Sequence, residues 1–355
     1  MREVLLVTEA RGFGGAEVYL ERLARGLEGY APVLAVPRHP ALDAWAERLR
    51  GEGFSVHARS AGWRGMSALI ARAAGPDVAL VHVNLPSTYD GWSGGLPWVL
   101  SRWSGKPVVV TEHLTALPRS RRRRWVKRRT GSGVRAVIVV SKAARAHLLA
   151  EGLPPDRVIA IPNGVPDPGP PVPLPPGPPF RIGVLASLEP RKRIDVVIEA
   201  VAACPPPRPE LHVAGEGPLR SELEERAFRT GVEATFHGRV EDPYAFLSQC
   251  HVLALASDLE AMPLSILEAM AAGRGVLASA LPGLDEVVVE GETGRLLPPG
   301  DLTAWTETVA GPARDRDRLR AWGAAARLRY TAAFTLERSV AATAAVYDRV
   351  LEEAG

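Results

Sequence analysis

Two acids, Glu260 and Glu268, stand with seven residues between them in the stretch Ser257 to Gly273, SDLEAMPLSILEAMAAG. The apolar run His251 to Ala256 before them has the length of a buried parallel strand. Behind them Leu264, Ile266, Leu267, Met270 and Ala271 recur at helical spacing, and Pro263 suits a first helical turn, where a missing N–H is tolerated. The pattern predicts a strand ending near Ser257 and a helix beginning near Pro263. Glu260 then lies in the loop at the carboxyl end of a strand, and Glu268 one to two turns into the helix. The amides of Leu264 and Ser265 fall between the two acids. Helix starts hold phosphate through unpaired N–H groups and the positive end of the dipole. An anion fits there, and carboxylates beside it can take sugar hydroxyls. Taken alone, the same two acids read better as a turn residue and a solvated helix residue, and it is the rest of the chain that favours the ligand site.

Other stretches carry compatible chemistry. Arg191, Lys192 and Arg193 follow a strand and open a helix, which sets fixed positive charge beside a dipole of the same sign. That is wasteful for stability and sensible for holding a diphosphate, although a solvated basic turn has the same composition. Gly215 to Pro218 and Gly238, Arg239 and Val240 form turns after two further strands. Near the amino terminus, Gly12, Phe13, Gly14, Gly15, Ala16 and Glu17 make a glycine-rich turn into a helix, either a tight turn or a loop approaching a phosphate or sugar. A dinucleotide fingerprint would need glycine where Glu17 stands and an acid where Pro37 and Arg38 stand, so a nicotinamide enzyme is excluded. His113 closes the strand Val108 to Thr111, at the sheet edge where ligands of open parallel sheets lie, and Ile161 to Val165 reads as a hinge turn.

The elements that must position these residues alternate in type. Apolar runs at Val4 to Val7, Val33 to Val36, Val78 to Val83, Val108 to Thr111 and Ala136 to Val140 alternate with helical patterns such as Ala16 to Leu27 and Ala41 to Arg50. The alternation restarts at Arg181 to Ala186 and continues through Leu211 to Ala214, Ala234 to His237, Val252 to Ala256 and Gly275 to Ala278. Such sequences build parallel sheets wound on both faces. Between the two series, Pro166 to Pro179 contains nine prolines in fourteen residues, an extended tether. The expected organisation is a first Rossmann-like domain over residues 1–165, a linker over 166–179 and a second such domain over 180–335. An amphipathic helix over 336–355 is expected to return to the first domain.

The chain of 355 residues is 46% hydrophobic, enough for two cores. MREVLLVTEA reads as a first strand and not as a secretion signal, and two cysteines make neither a disulfide framework nor a zinc site. A cytoplasmic protein is expected. The net charge of +3 hides a local excess, because Arg119 to Arg129 carries eight basic residues, one Trp and no acid. That run could lie on anionic headgroups at the inner face of a membrane, form a solvated face, or touch nucleic acid. Peripheral contact with an anionic membrane, near a lipid-linked acceptor, stays open beside the solvated face, which the composition favours, and no nucleic acid is expected.

Taken in order, GGAE at Gly14 to Glu17, TEH at Thr111 to His113, VVSK at Val139 to Lys142 and IPNGV at Ile161 to Val165 are followed by Lys192 and by GEGP at Gly215 to Pro218. HGRV at His237 to Val240, the Glu260 and Glu268 pair, and TG at Thr293 to Gly294 complete the series. This set resembles the retaining glycosyltransferases of family 4, whose GT-B fold faces two doubly wound Rossmann-like domains across an active-site cleft. The resemblance implies transfer of a sugar from a nucleoside diphosphate sugar to an acceptor hydroxyl of a glycan, lipid or small molecule, with no metal and no cofactor. It implies that Glu260 lies near the transferred sugar, that Glu268 accepts from the ribose hydroxyls and that Lys192 binds the diphosphate. Gly14 and Gly15 approach the donor phosphate or the acceptor, His113 touches the sugar, and Gly238 to Val240 border the nucleobase. The family's arginine after the first strand of the second domain is replaced here, where Ala186, Ser187 and Leu188 stand; Arg191 is the candidate to reach the same phosphate. His113, Arg191, Lys192 and Glu260 form the expected catalytic set. Gly14, Gly15, Ser187, Gly215, Arg239, Val240, Leu264, Ser265 and Glu268 form the expected donor-binding set. Without an obvious carboxylate nucleophile, attack from the face of the leaving group is expected, and Asp315 and Asp317, the only Asp-x-Asp, are not expected to hold a metal. The alternative is a non-catalytic sugar-nucleotide or glycan-binding protein on the same scaffold.

Overall fold

A computed structural model of the chain describes residues 1–10, 12–60, 62–86, 95–114, 133–311 and 314–354. The basic run Arg119 to Arg129 lies outside these residues. Two compact units result, one of residues 1–163 with 336–355 and one of residues 164–335.

In the first unit the short apolar runs become seven parallel strands: β1 (Arg2–Thr8), β2 (Tyr30–Pro37), β3 (Ser55–Arg59), β4 (Val78–Leu85), β5 (Val108–Glu112), β6 (Ala136–Val139) and β7 (Val158–Ala160), in the order β3-β2-β1-β4-β5-β6-β7. Successive side chains leave a strand on opposite faces, and here both faces are buried. Val4 and Leu6 enter one apolar cluster while Leu5 and Val7 enter the other. The helix Leu336–Glu352 packs Val340, Val346, Tyr347 and Val350 into the first of these clusters. A buried polar thread runs beneath it, in which His82 Nδ1 meets the Tyr347 hydroxyl and His82 Nε2 lies 2.8 Å from Thr111 Oγ1.

The second unit holds six parallel strands: β8 (Arg181–Leu185), β9 (Glu210–Ala214), β10 (Ala234–Gly238), β11 (Val252–Leu255), β12 (Gly275–Ser279) and β13 (Gly294–Leu297), in the order β10-β9-β8-β11-β12-β13. Its core joins strand residues Ile182, Val184, Leu211, Val213, Val252 and Ala254 to Trp305 and Trp322 from helices. The proline-rich stretch lies along this unit. Arg274, fully buried, donates to the Val172 and Pro173 carbonyls at 2.8 and 3.2 Å, Arg316 to Pro175 at 2.9 Å, and Tyr244 to Pro166 at 2.6 Å. Proline offers no N–H, so a segment rich in it is held through its carbonyls, which arginine's fork of donors suits.

Strand order reverses between β1 and β4 in the first sheet and between β8 and β11 in the second. Ligands of open parallel sheets sit at the carboxyl ends of strands at such reversals, where the flanking connections diverge to opposite faces. The residues singled out in the sequence cluster at these two places.

Candidate active site

In the second unit the turns after β8 and β11 meet. Pro190–Lys192 forms a single tight turn, and Arg193 adopts φ 46°, the only left-handed non-glycine residue among those described. This bend separates three neighbouring cations that the sequence presented as one cluster. Lys192 Nζ pairs with Glu260 Oε1 at 2.5 Å, and Arg191 Nη1 reaches the same oxygen at 3.6 Å. Arg193 instead binds Asp195 at 3.1 Å and Asp258 at 3.3 Å, so it anchors the turn and does not join Lys192 and Arg191 on Glu260. The turn is tied to the loop after β11 by the Asp258 N–H, which donates to the Arg191 carbonyl at 2.8 Å. Arg191 also donates to Glu189 at 3.0 Å, and its side chain is 40% exposed.

The helix after this loop spans Leu264–Ala271, with Pro263 as its cap in extended conformation and not within the first turn as the sequence suggested. The Ile266 N–H donates to the Pro263 carbonyl at 3.2 Å, whereas the amides of Leu264 and Ser265 have no acceptor among the described residues. Two unpaired donors therefore stand at the positive end of the helix, which is what an anion needs. Glu268 is the fifth residue of the helix and is buried.

Beside β8 the turns stack in a row. Gly215 has φ 144°, and a Cβ there would stand 1.8 Å from the Ala186 carbonyl oxygen, so backbone packs directly on the turn that carries Ser187. The Gly215 N–H donates to the Gly238 carbonyl at 2.7 Å, which links this turn to Arg239 and Val240. Ser187, Gly215 and Val240 are half-buried, and Arg239 is exposed. Where the family's arginine is missing, the Leu188 N–H donates to the Glu216 carbonyl at 2.9 Å and Gly217 packs on Leu188, leaving the turn closed by backbone alone. Arg191 and Lys192 converge on Glu260.

In the first unit Gly14 caps the helix Gly15–Gly26, and the buried Glu17 carboxylate accepts from the Gly14 N–H at 3.0 Å and the Thr8 hydroxyl at 3.2 Å. Burial raises the Glu17 pKa to about 7 despite these bonds. His113 follows β5, its Nε2 lies 2.8 Å from Asn84 Oδ1, and Tyr19 meets its ring edge-on at 4.6 Å. Burial lowers the His113 pKa to about 3. Glu17 and Asn84 escaped the sequence reading. Asn84 had a signal, a polar residue ending the apolar run of β4 at the strand-order reversal. Glu17 ends the GGAE series, yet the sequence assigns it no role of its own.

Asp315, one half of the Asp-x-Asp, caps the helix Arg316–Ala333, its Oδ1 accepting from the Asp317 and Arg318 N–H groups at 3.1 Å. Among the described residues no three His, Cys, Asp or Glu side chains are grouped to hold a metal ion, and no helix is long and apolar enough to cross a membrane.

Residues 171–329 match the family described as glycosyl transferases group 1, and residues 13–168 match glycosyltransferase family 4. The lipopolysaccharide core biosynthesis mannosyltransferase LpsB of Rhizobium meliloti is 31% identical over 48% of this chain, and the match spans only 52% of that relative's length. A GDP-mannose-dependent alpha-(1-6)-phosphatidylinositol monomannoside mannosyltransferase of Mycobacterium tuberculosis is 29% identical over 92% of this chain and 93% of its own. The Anabaena protein HepE, solved with UDP and glucose, superposes with a TM-score of 0.85 over 98% of this chain and all of its own at 19% identity, a likeness of the GT-B fold. With its two halves matched by these two models, the chain belongs to family 4 of the glycosyltransferases.

Proposed function

We propose that this chain transfers a sugar from a nucleoside diphosphate sugar to an acceptor hydroxyl with retention of anomeric configuration and without a metal. The observation that carries the proposal is the convergence of Lys192 and Arg191 on Glu260, next to the amides of Leu264 and Ser265. As the anomeric carbon–oxygen bond breaks, negative charge grows on the leaving phosphate, and cations and amide dipoles fixed in advance lower the barrier because they need no reorganisation. The acceptor oxygen bonds to the anomeric carbon on the face the phosphate leaves, and its proton passes to the departing phosphate oxygen. Glu268 takes the ribose hydroxyls, Gly238 to Val240 border the base, and His113 contacts the sugar.

Lys192→Ala is expected to lower transfer at least about tenfold, because one charged phosphate contact in a water-poor site is worth more than about 1.4 kcal/mol. Unchanged turnover would remove Lys192 from the mechanism. The names of a relative and of a structural neighbour put GDP-mannose and UDP-glucose first in a thermal-stabilisation screen for the donor. The acceptor side of the proposal is a glycan or lipid-linked hydroxyl at the cytoplasmic face of a membrane, with the run Arg119 to Arg129 against anionic headgroups. Cosedimentation with anionic liposomes at low salt, lost when these arginines become glutamines, supports that contact, and no cosedimentation ends it.

A further inference from the structure

At the carboxyl edge of the first sheet one amide side chain ties three segments together. Asn84 lies in register with Thr8 of β1 on one side and Thr111 of β5 on the other, and it is fully buried. Its Nδ2 donates to the Ala16 carbonyl at 3.0 Å, in the first turn of the helix after the glycines. Only the amide nitrogen can donate to a carbonyl, so this bond fixes which end of the side chain is which, and Oδ1 is the atom 2.8 Å from His113 Nε2. An amide oxygen only accepts. Nε2 therefore carries the proton, and in a neutral ring Nδ1 is left as an acceptor. Among the described residues Nδ1 has no hydrogen-bond partner. Burial, which lowers the pKa to about 3, keeps the ring neutral, and Tyr19 packed edge-on at 72° sets its plane.

We propose that Asn84 is a positioning residue that holds His113 as the Nε2–H tautomer, making Nδ1 an acceptor for an un-ionised hydroxyl of the sugar. This rests on the reading of His113 as a sugar contact. It adds a residue that touches no substrate and a direction to the hydrogen bond: the sugar donates and the imidazole accepts. The bond from Asn84 to Ala16 also locks the glycine turn to the same imidazole, so the two sequence motifs GGAE and TEH are held as one assembly by a residue from neither.

The decisive measurement is nitrogen NMR of the full-length chain labelled with 15N-histidine, without ligand, the His113 signals being assigned by their loss in His113→Gln. The expected result is a protonated Nε2 and a bare Nδ1. Asn84→Ala is expected to give mixed tautomers, while Asn84→Asp, whose carboxylate still accepts, keeps Nε2 protonated. A wild-type ring protonated on Nδ1 alone overturns the proposal, and so does an Asn84→Asp ring that loses its Nε2 proton, so the outcome does not depend on Asn84→Ala folding. Transfer is then measured with the donor the stabilisation screen identifies. Asn84→Ala is expected to cost about tenfold in the wild-type background and less than about twofold in a His113→Ala background, because two residues acting through one bond are not additive. Equal losses in both backgrounds would reduce Asn84 to a support of the fold. Unchanged transfer in His113→Ala alone would instead sink the sugar contact, and the tautomer result separates the two failures.

Discussion

Lys192 Nζ stands 2.5 Å from Glu260 Oε1 in an ion pair nearly closed to solvent, the two side chains being 10% and 7% exposed. The cation proposed for the diphosphate is thus held by the acid proposed for the sugar, and each is the other's counter-ion when no donor is present. A diphosphate must compete with that carboxylate for Lys192.

Glu260→Gln is therefore expected to tighten binding of a free nucleoside diphosphate by several-fold, since a unit charge a few ångströms away is worth about 1 kcal/mol or more at the effective dielectric of a half-wet site. Transfer falls at the same time, because the sugar loses its carboxylate. Titration calorimetry with the diphosphate of the identified donor, read beside turnover, checks both. Weaker binding by the glutamine variant would show that Glu260 does not compete with the ligand.

Removing the lysine instead leaves Glu260 buried without its closest partner. Breaking a buried pair from one side costs about 3 kcal/mol, and Arg191 at 3.6 Å offsets part of that. Lys192→Ala is expected to lower the urea midpoint, and Lys192→Ala with Glu260→Gln to recover at least half the loss, because the second change removes the stranded charge. A double variant no more stable than the single one would mean that the pair contributes through packing alone.

Glu17 makes the stability of the first unit depend on pH. Burial raises its pKa from 4.5 to about 7, against the lowering by the Gly14 N–H and the Thr8 hydroxyl. Between those values the folded chain still holds a proton that the unfolded chain has released, so stability falls as pH climbs through the window, by about 3 kcal/mol in full. Glu17→Gln keeps one acceptor oxygen for the Gly14 N–H, its amide NH2 can donate to the Thr8 hydroxyl in place of the bond it loses, and it cannot ionise. It is expected to flatten the profile and to exceed wild type most at about pH 8. Parallel urea midpoints for the two proteins from about pH 4.5 to 8 would retire Glu17 as the cause.

The central strands of both sheets were legible because burial on both faces leaves an uninterrupted apolar run, as in β1, β4 and β11. The strands β3, β7 and β13 were not. Ser55–Arg59 is an edge strand of alternating, half-exposed residues, Val158–Ala160 has three residues, and Gly294–Leu297 opens on a glycine with φ 157°. Their pairing partners, not their own composition, make them strands. At the site, the acids and cations were visible as types, but the left-handed bend at Arg193 that sends it to Asp195 and Asp258 depends on long-range pairing. The tautomer of His113 depends likewise on Asn84, 29 residues earlier. Charge and spacing show which side chains could meet a ligand; only the fold shows which have already been claimed by one another.

Gly215 tests how tightly the donor-side turns are packed. Its φ of 144° suits glycine alone, and an added Cβ would meet the Ala186 carbonyl oxygen at 1.8 Å. That carbonyl cannot retreat freely, because the adjoining Ala186 N–H donates to the Ala214 carbonyl at 3.0 Å and holds the two turns together. Gly231 offers a control within the same unit. It ends the helix Arg220–Thr230 at φ 66°, and the nearest atom to its Cβ position is the flexible Arg208 Nη1 at 3.6 Å. Gly231→Ala is expected to cost about 1 kcal/mol, the ordinary cost of a left-handed residue with a side chain. Gly215→Ala should cost about 3 kcal/mol or more and weaken donor binding through displacement of Ser187. Thermal melts of the two variants, with and without donor, give the order directly. If Gly215→Ala melts no lower than Gly231→Ala, close backbone approach is not what demands glycine at this turn.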